Sequence, residues 1–164
     1  MNTSKRMHDI NSSTMVLRLA LICIGLFILG VCIFVLPREI YLELTTDFDY
    51  GYLFLIMYVT TLPFYFALYS IARLLNYVDK KMIFTHVSVQ SIRHVKLCAY
   101  SISVIYALGM PYIFSLGDAD DAPGIVLLGF MVVFSSFIIA TVAGIVQKLV
   151  EDAFLIKSEN DLTV

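Results

Sequence analysis

The chain has 164 residues, a net charge of −2, a hydrophobic fraction of 60% and a charged fraction of 15%. Its mean hydropathy is +0.88. An ordinary soluble domain carries about 25% charged residues to cover its surface, so this composition excludes one and indicates a membrane protein.

Four apolar runs predict membrane-spanning helices, at about residues 16–36, 52–75, 97–116 and 125–147. Each run is near the roughly 20 residues that a helix needs to cross about 30 Å of hydrocarbon. The runs lack the alternation of polar and apolar residues that barrel strands show. We therefore predict an all-α membrane protein, a four transmembrane helix bundle that forms a single domain over residues 1–164.

The first run follows three basic residues, Lys5, Arg6 and Arg18, as the core of a secretory signal would. Its apolar stretch is longer than a usual signal core, and no cleavage site of small residues precedes Pro37. We therefore interpret it as a retained span.

Cysteine and histidine give no pattern of a metal site. Cys23, Cys32 and Cys98 lie in or at the start of apolar runs without the spacing of metal ligands, so we expect inert thiols and no cofactor. His86 and His94 are separated by eight residues with no Cys or carboxylate between them. Surface histidines are favoured over a pH sensor or a metal site.

The distribution of Lys and Arg predicts the orientation in the membrane. If the loop 76–96 is cytoplasmic, both termini are cytoplasmic too, and Arg38 is the single basic residue on the other side. The ten cytoplasmic basic residues are then Lys5, Arg6, Arg18, Arg73, Lys80, Lys81, Arg93, Lys96, Lys148 and Lys157. Because basic residues in short loops set orientation during insertion, we predict cytoplasmic N- and C-termini and a cytoplasmic tail, 148–164.

The external loops are rich in carboxylates. Asp118, Asp120 and Asp121 stand close together in the second loop, but the EF-hand spacing and its Gly and Glu are missing. A solvated turn is favoured over a cation site.

The middle of each predicted span contains no Asp, Glu, Lys or His, which argues against a proton-coupled or ion-driven carrier. Hydroxyl side chains are present in the spans, so a channel stays open as an alternative to simple helix packing. Small residues recur at intervals of four in the third and fourth spans, a spacing that allows close backbone approach. We predict that these two helices pack antiparallel through Ala99, Ser103, Ala107, Ser136, Ala140 and Gly144.

The stretch before the third span has helical order. After Thr85, a predicted N-cap, the apolar residues Val89, Ile92 and Val95 recur at helical spacing. This pattern predicts a short amphipathic cytoplasmic helix between helices two and three, lying at the inner membrane surface and bending into helix three. Basic side chains there gain roughly 1 kcal/mol each from anionic lipid.

Two cytoplasmic motifs, "DKKMIFTHVSVQSIRHVK" and the ending "SENDLTV", together with the four spans, carry a family resemblance. The chain resembles the small bacterial membrane proteins catalogued as domain of unknown function 2975, from its first span to its last residue. The family pattern is matched at Lys81, Phe84, Thr85, Val89, Ile92, Arg93, Glu159, Asn160, Asp161, Leu162 and Thr163. It departs at Lys80, where the family often has Gly, and at His86 and Val87, where it often has Glu-Asn.

The resemblance implies no known activity, but it implies a frequent gene neighbour in Gram-positive bacteria, a small helix-turn-helix DNA-binding protein of the Cro/repressor kind. We therefore predict a non-enzymatic regulatory partner of such a regulator in the cell membrane, with no direct nucleic-acid binding. Its candidate partner-binding residues are Lys80, Lys81, Phe84, Arg93, Lys96, Glu159, Asn160, Asp161, Leu162 and Thr163.

The alternative is a small transporter, channel or immunity-type protein that acts within the membrane. An enzyme is not expected, because no nucleophile–base pair, metal set or phosphate-binding loop is visible. The lipid bilayer is the one partner that the sequence requires, and the oligomeric state stays open.

Overall fold

The computed structural model describes residues 3–35, 37–38, 41, 51–79, 85–119 and 121–161, apart from the side chains of 3–13, 35, 157, 160 and 161. Helix α1 (Thr3–Gly30) continues into a π-helical turn (Val31–Val35). Helices α2 (Gly51–Asp79), α3 (His86–Ala119) and α4 (Pro123–Asp161) follow.

Within the described residues, four helical segments are long and apolar enough to cross a membrane: Thr14–Phe34, Gly51–Asp79, His86–Ala119 and Pro123–Ile156. In hydrocarbon a helix satisfies its own backbone hydrogen bonds, which is why long apolar runs adopt this form. The predicted all-α protein with four apolar spanning helices is therefore confirmed. Pro63 and Pro111 lie inside α2 and α3, and both helices continue through them.

The segment before the third span differs from the prediction of a separate short helix. His86 begins a single helix of 34 residues that runs without interruption to Ala119. Residues 86–110 contain no proline, so nothing in the sequence interrupts the backbone hydrogen bonds at the predicted bend. The predicted apolar face is nevertheless visible in the first turns, since Ile92 is buried while Gln90 and Arg93 are exposed.

The helices pack in chain order, and α3 is central. The extensive contacts among the described helices join α1 to α2, α2 to α3 and α3 to α4, and the last of these is the largest. The array is therefore open between its outer helices α1 and α4. One end, which we call the basic end, contains Arg18, Asp79, Arg93, Lys96 and Lys148.

Helices α3 and α4 pack antiparallel along their length. At the basic end the Lys96 side chain passes 3.6 Å from where a Cβ of Gly144 would stand. Further along, Ser103 donates a hydrogen bond to the carbonyl oxygen of Val133, with a distance of 3.2 Å between oxygens. Buried small residues allow this close approach.

The predicted stripe of small residues follows this contact over part of its length. Ala99, Ser103 and Ala140 are buried, Ser136 and Gly144 are half-buried, and Ala107 is exposed. A step of four residues advances about 40° more than one helical turn of 3.6 residues. The stripe therefore rotates away from α4 by Ala107.

Near the opposite end, the turn between α3 and α4 has the 6→1 hydrogen bond of a Schellman motif. The amide of Ala122 donates to the carbonyl of Gly117 at 3.0 Å, and Asp121 has a φ of 54°. This left-handed position usually contains Gly. At Gly117 a Cβ would stand 2.6 Å from Cγ2 of Val126, so the two helices meet closely there. Asp118 and Asp121 are exposed.

Helices α2 and α3 also pack antiparallel. Tyr52 lies against Tyr112 with ring centroids 5.4 Å apart, and Phe66 lies against His94 at the same separation. His94 is therefore half-buried on an aromatic ring instead of standing free at the surface.

Candidate functional site

Because α1 and α4 do not close on each other, the array contains a cleft at membrane depth. We define the intramembrane cleft as a cavity of about 480 Å³ lined by residues of all four helices, among them Cys32, Thr60, Thr61, Tyr106 and Ser136. Helices α2 and α3 form its floor, and α1 and α4 form its walls. The π-helical turn of α1 contributes Val31 and Cys32.

The lining of this cleft is mainly apolar, and its two threonine hydroxyls already have partners. Thr60 donates to the carbonyls of Ile56 (3.0 Å) and Met57 (2.9 Å), and it is hydrogen-bonded to Tyr106. Thr61 donates to the same carbonyl of Met57 at 3.0 Å. Hydroxyls bonded to the backbone of their own helix offer little to an ion. No Asp, Glu, Lys, Arg or His is among the described residues that line the cleft, which suits an apolar occupant.

At the basic end, an ion pair joins α1 to α2. One guanidinium nitrogen of Arg18 donates to Oδ2 of Asp79 and to Oδ1 of Asn76, each at 2.6 Å. The side chains of Arg18 and Asp79 are 41% and 27% exposed. Arg18 therefore binds the neighbouring helix α2.

Two more contacts tie α1 to α2 deeper in the span. Tyr65 donates to the carbonyl of Gly25 at 2.7 Å, and a Cβ at Gly25 would touch Leu68 at 3.7 Å. Sγ of Cys32 lies 3.4 Å from Oγ1 of Thr61. These contacts are few compared with those between α3 and α4, and the ion pair of Arg18 adds to them at the basic end.

The start of α3 is polar but buried. Thr85 lies directly before the helix, and its hydroxyl is 3.2 Å from that of Ser88. Ser88 and Ser91 are 0% and 2% exposed, and Ser91 donates to the carbonyl of Val87. Small hydroxyl side chains that return their hydrogen bonds to the backbone allow close helix packing here.

Lys96 lies between α3 and α4 at the same end. It makes no ion pair with any residue in the described part of the chain, and it is half-buried across Gly144. One turn beyond Gly144, Oε1 of Gln147 is buried without a hydrogen-bond partner among the described residues. A cation and an acceptor thus lie close to the membrane boundary at this contact.

The structure places the predicted partner-binding residues in two separate groups. Arg93 is exposed on α3, and Glu159 is exposed on the last turns of α4. Lys96 packs against Gly144, fifteen residues before Glu159, so roughly 22 Å of helix separates their levels at about 1.5 Å per residue.

The remaining predicted residues are described in part or lie outside the described residues. Asn160 and Asp161 belong to the end of α4, without described side chains. Lys80, Lys81, Phe84, Leu162 and Thr163 lie outside the described residues.

Sequence reasoning missed the Arg18–Asp79 pair and the contact of Lys96 with Gly144. A signal for the first existed, because a cation begins one span and a carboxylate ends the next, as an antiparallel helix pair requires. No group of three metal-ligating side chains occurs within the described ranges.

Comparison with known proteins assigns the chain to a family. The family described as "Protein of unknown function (DUF2975)" matches residues 7–164. The "Uncharacterized membrane protein YoaS" of Bacillus subtilis (strain 168) is 46% identical over 156 residues, which cover 93% of this chain and 98% of that protein. No solved structure matches the chain. The chain, a membrane protein with four apolar spanning helices, therefore belongs to the DUF2975 family.

Proposed function

We propose that this protein is a non-enzymatic regulatory partner, in the cell membrane, of a cytoplasmic helix-turn-helix transcription regulator. In this proposal the basic end faces the cytoplasm, and the protein itself does not bind DNA. The regulator is held or released by the segment 80–96 together with the tail 159–164.

The observation that carries the proposal is the length and position of α4. Its 39 residues span about 58 Å at about 1.5 Å per residue, whereas the hydrocarbon core is about 30 Å thick. The first charged residue of α4 is Lys148, so the last turns project beyond the membrane at the basic end. The end of α2 and the start of α3 lie at this end too, so the described parts of both predicted segments lie on one side of the membrane.

Charge supports the proposed orientation. Arg18, Arg73, Arg93, Lys96 and Lys148 belong to the basic end, whereas Arg38 belongs to the opposite end, and an excess of Lys and Arg marks cytoplasmic loops. The similar protein of Bacillus subtilis supports a Gram-positive source for the chain.

A cysteine introduced at Ser158 should react with a membrane-impermeant maleimide in inverted vesicles and not in intact cells. Labelling in intact cells would show that the C-terminus faces outward and would contradict the proposed orientation.

The partner is tested by cross-linked pull-down from native membranes. Wild type is compared with a chain lacking residues 159–164, with Lys80→Glu/Lys81→Glu, and with Arg38→Glu as the matched charge reversal at the opposite end. We expect a small DNA-binding protein with wild type and Arg38→Glu, and its loss with the other two. Recovery of the same proteins with wild type and all three variants would refute the role of these segments.

The intramembrane cleft favours a second candidate function. A cavity of about 480 Å³ with an apolar lining could receive a hydrophobic substrate or peptide, as a small transporter or immunity-type protein would require. Substituting Ser136→Phe would fill the cleft from α4 without touching the basic end. Altered sensitivity to a membrane-active peptide in Ser136→Phe cells, with an unchanged pull-down, would support this function over the first.

A further inference from the structure

The outward face of α4 is an apolar ridge that continues past the membrane. We define the α4 ridge as the positions that repeat every three and four residues along this face, Val142, Val146, Leu149, Ala153 and Ile156. Leu149 and Ile156 are 63% and 68% exposed, and Val142 is 53% exposed. Lys148 marks the membrane boundary, so Leu149 and Ile156 stand in water unless something covers them.

The ridge points away from the rest of the molecule. Ala140, which is 0% exposed, and Gly144, which contacts Lys96, lie on the other side of α4. In a heptad that places Val146 and Ala153 at position a, Leu149 and Ile156 occupy position d. Gly144 then occupies position f, on the side opposite the a/d seam. The packing against α3 therefore leaves Val142, Leu149 and Ile156 exposed on the seam, while Val146 is 40% exposed and Ala153 is half-buried.

The same register places complementary charges beside the seam. Asp152 occupies position g, and Lys157 occupies the following position e, the two positions that pair between the chains of a parallel coiled coil. Asn160 occupies position a, where a single Asn favours two parallel strands in register. All three positions lie within the continuous helix of α4.

We propose that the α4 ridge is the interface of a parallel homodimer, in which the seam of one chain packs against the same seam of a second copy. Two copies inserted in the same orientation present parallel α4 helices, and a two-fold axis along the membrane normal pairs identical residues. A second copy covers Val142 inside the membrane and Ile156 outside it. A soluble protein reaches only the outer part. The dimer does not depend on the proposed regulatory function.

Disulfide formation in native membranes tests the dimer, in a full-length chain with Cys23, Cys32 and Cys98 replaced by Ala. Ile156→Cys places thiols at position d, and Glu151→Cys is the matched control at position f of the same helix. Under mild oxidation Ile156→Cys should shift to a covalent dimer, and Glu151→Cys should remain monomeric. Leu149→Cys repeats the test one heptad earlier.

Charge reversal tests the register. Asp152→Lys in the Ile156→Cys chain should reduce the dimer band, and combining it with Lys157→Asp should restore it, because the g–e′ pair is re-formed with opposite sign. Three results would overturn the proposal: an Ile156→Cys chain that stays monomeric while eluting as a folded protein, equal cross-linking at positions 151 and 156, or a disulfide to a different protein.

Discussion

Because α3 and α4 approach closely at Gly117, we expect Gly117→Ala, which adds one carbon, to lower the free energy of unfolding. A Cβ there would stand 2.6 Å from Cγ2 of Val126 and 3.4 Å from the carbonyl oxygen of Ala122. Neither neighbour moves easily, since valine in a helix has one preferred rotamer and the Ala122 backbone is held by its hydrogen bond to Gly117.

Two opposing contributions set the size of this change in the free energy of unfolding. Overpacking costs about 1 to 3 kcal/mol, and replacing a helical Gly by Ala returns about 0.5 to 1 kcal/mol. We expect Gly117→Ala to lower the free energy of unfolding by about 1 to 2 kcal/mol. Gly109→Ala should cost less, because the atom 2.6 Å away is the terminal Cδ1 of the flexible Ile56 side chain.

Gly124→Ala is the matched control, since no heavy atom lies within 4 Å of its added Cβ. The assay is the melting temperature in detergent, followed as the fraction of protein that elutes folded after heating. For a chain of this size about 1 to 2 kcal/mol corresponds to a fall of roughly 2 to 8 °C. A Gly117→Ala protein that melts with wild type, or a Gly124→Ala protein that falls equally, would refute the packing argument.

Three further predictions follow from single positions or contacts, and the same melting assay measures each. Asp121→Gly should raise stability by about 0.5 to 1 kcal/mol, because φ is 54° there and Gly has no Cβ penalty; a lower melting temperature would contradict this. Arg18→Ala and Asp79→Ala should show a coupling energy of about 1 kcal/mol in a double-mutant cycle, limited by partial exposure; strict additivity would exclude a working ion pair. Ser103→Ala should cost about 0.6 kcal/mol, the usual value for a hydrogen bond between membrane helices, here to Val133; a loss several times larger would indicate a repacked interface.

The apolar spans could be predicted from the sequence because hydrocarbon imposes its conditions on each helix separately. Every span needs about 20 apolar residues and internal backbone hydrogen bonds, and neither depends on which helix lies next to it. The start of α3 at His86 was harder to predict from the sequence. The composition changes there from that of a surface segment to that of a membrane span, but this change does not require a break in the helix.

The contacts of the candidate sites needed the tertiary structure. Arg18 and Asp79 are 61 residues apart in the chain, and their meeting depends on the register of two antiparallel helices. The intramembrane cleft has no signature in composition, since its lining of aliphatic side chains and hydroxyls resembles that of any packed span. The exposure of Ala107 could not be predicted from the sequence either, because it depends on how far α3 has rotated relative to α4.

The sequence by itself determined that this chain is a membrane protein with four apolar spanning helices, because burial in lipid is a property of each segment. It also contained the heptad of α4 and the family motifs. Only the tertiary structure decided that the helices pack in chain order around α3, that α1 is held to α2 by few contacts, and that one face of α4 is largely exposed in the described part of the chain. Those features depend on which surfaces meet, and packing between distant segments is decided by shape complementarity that no single segment encodes.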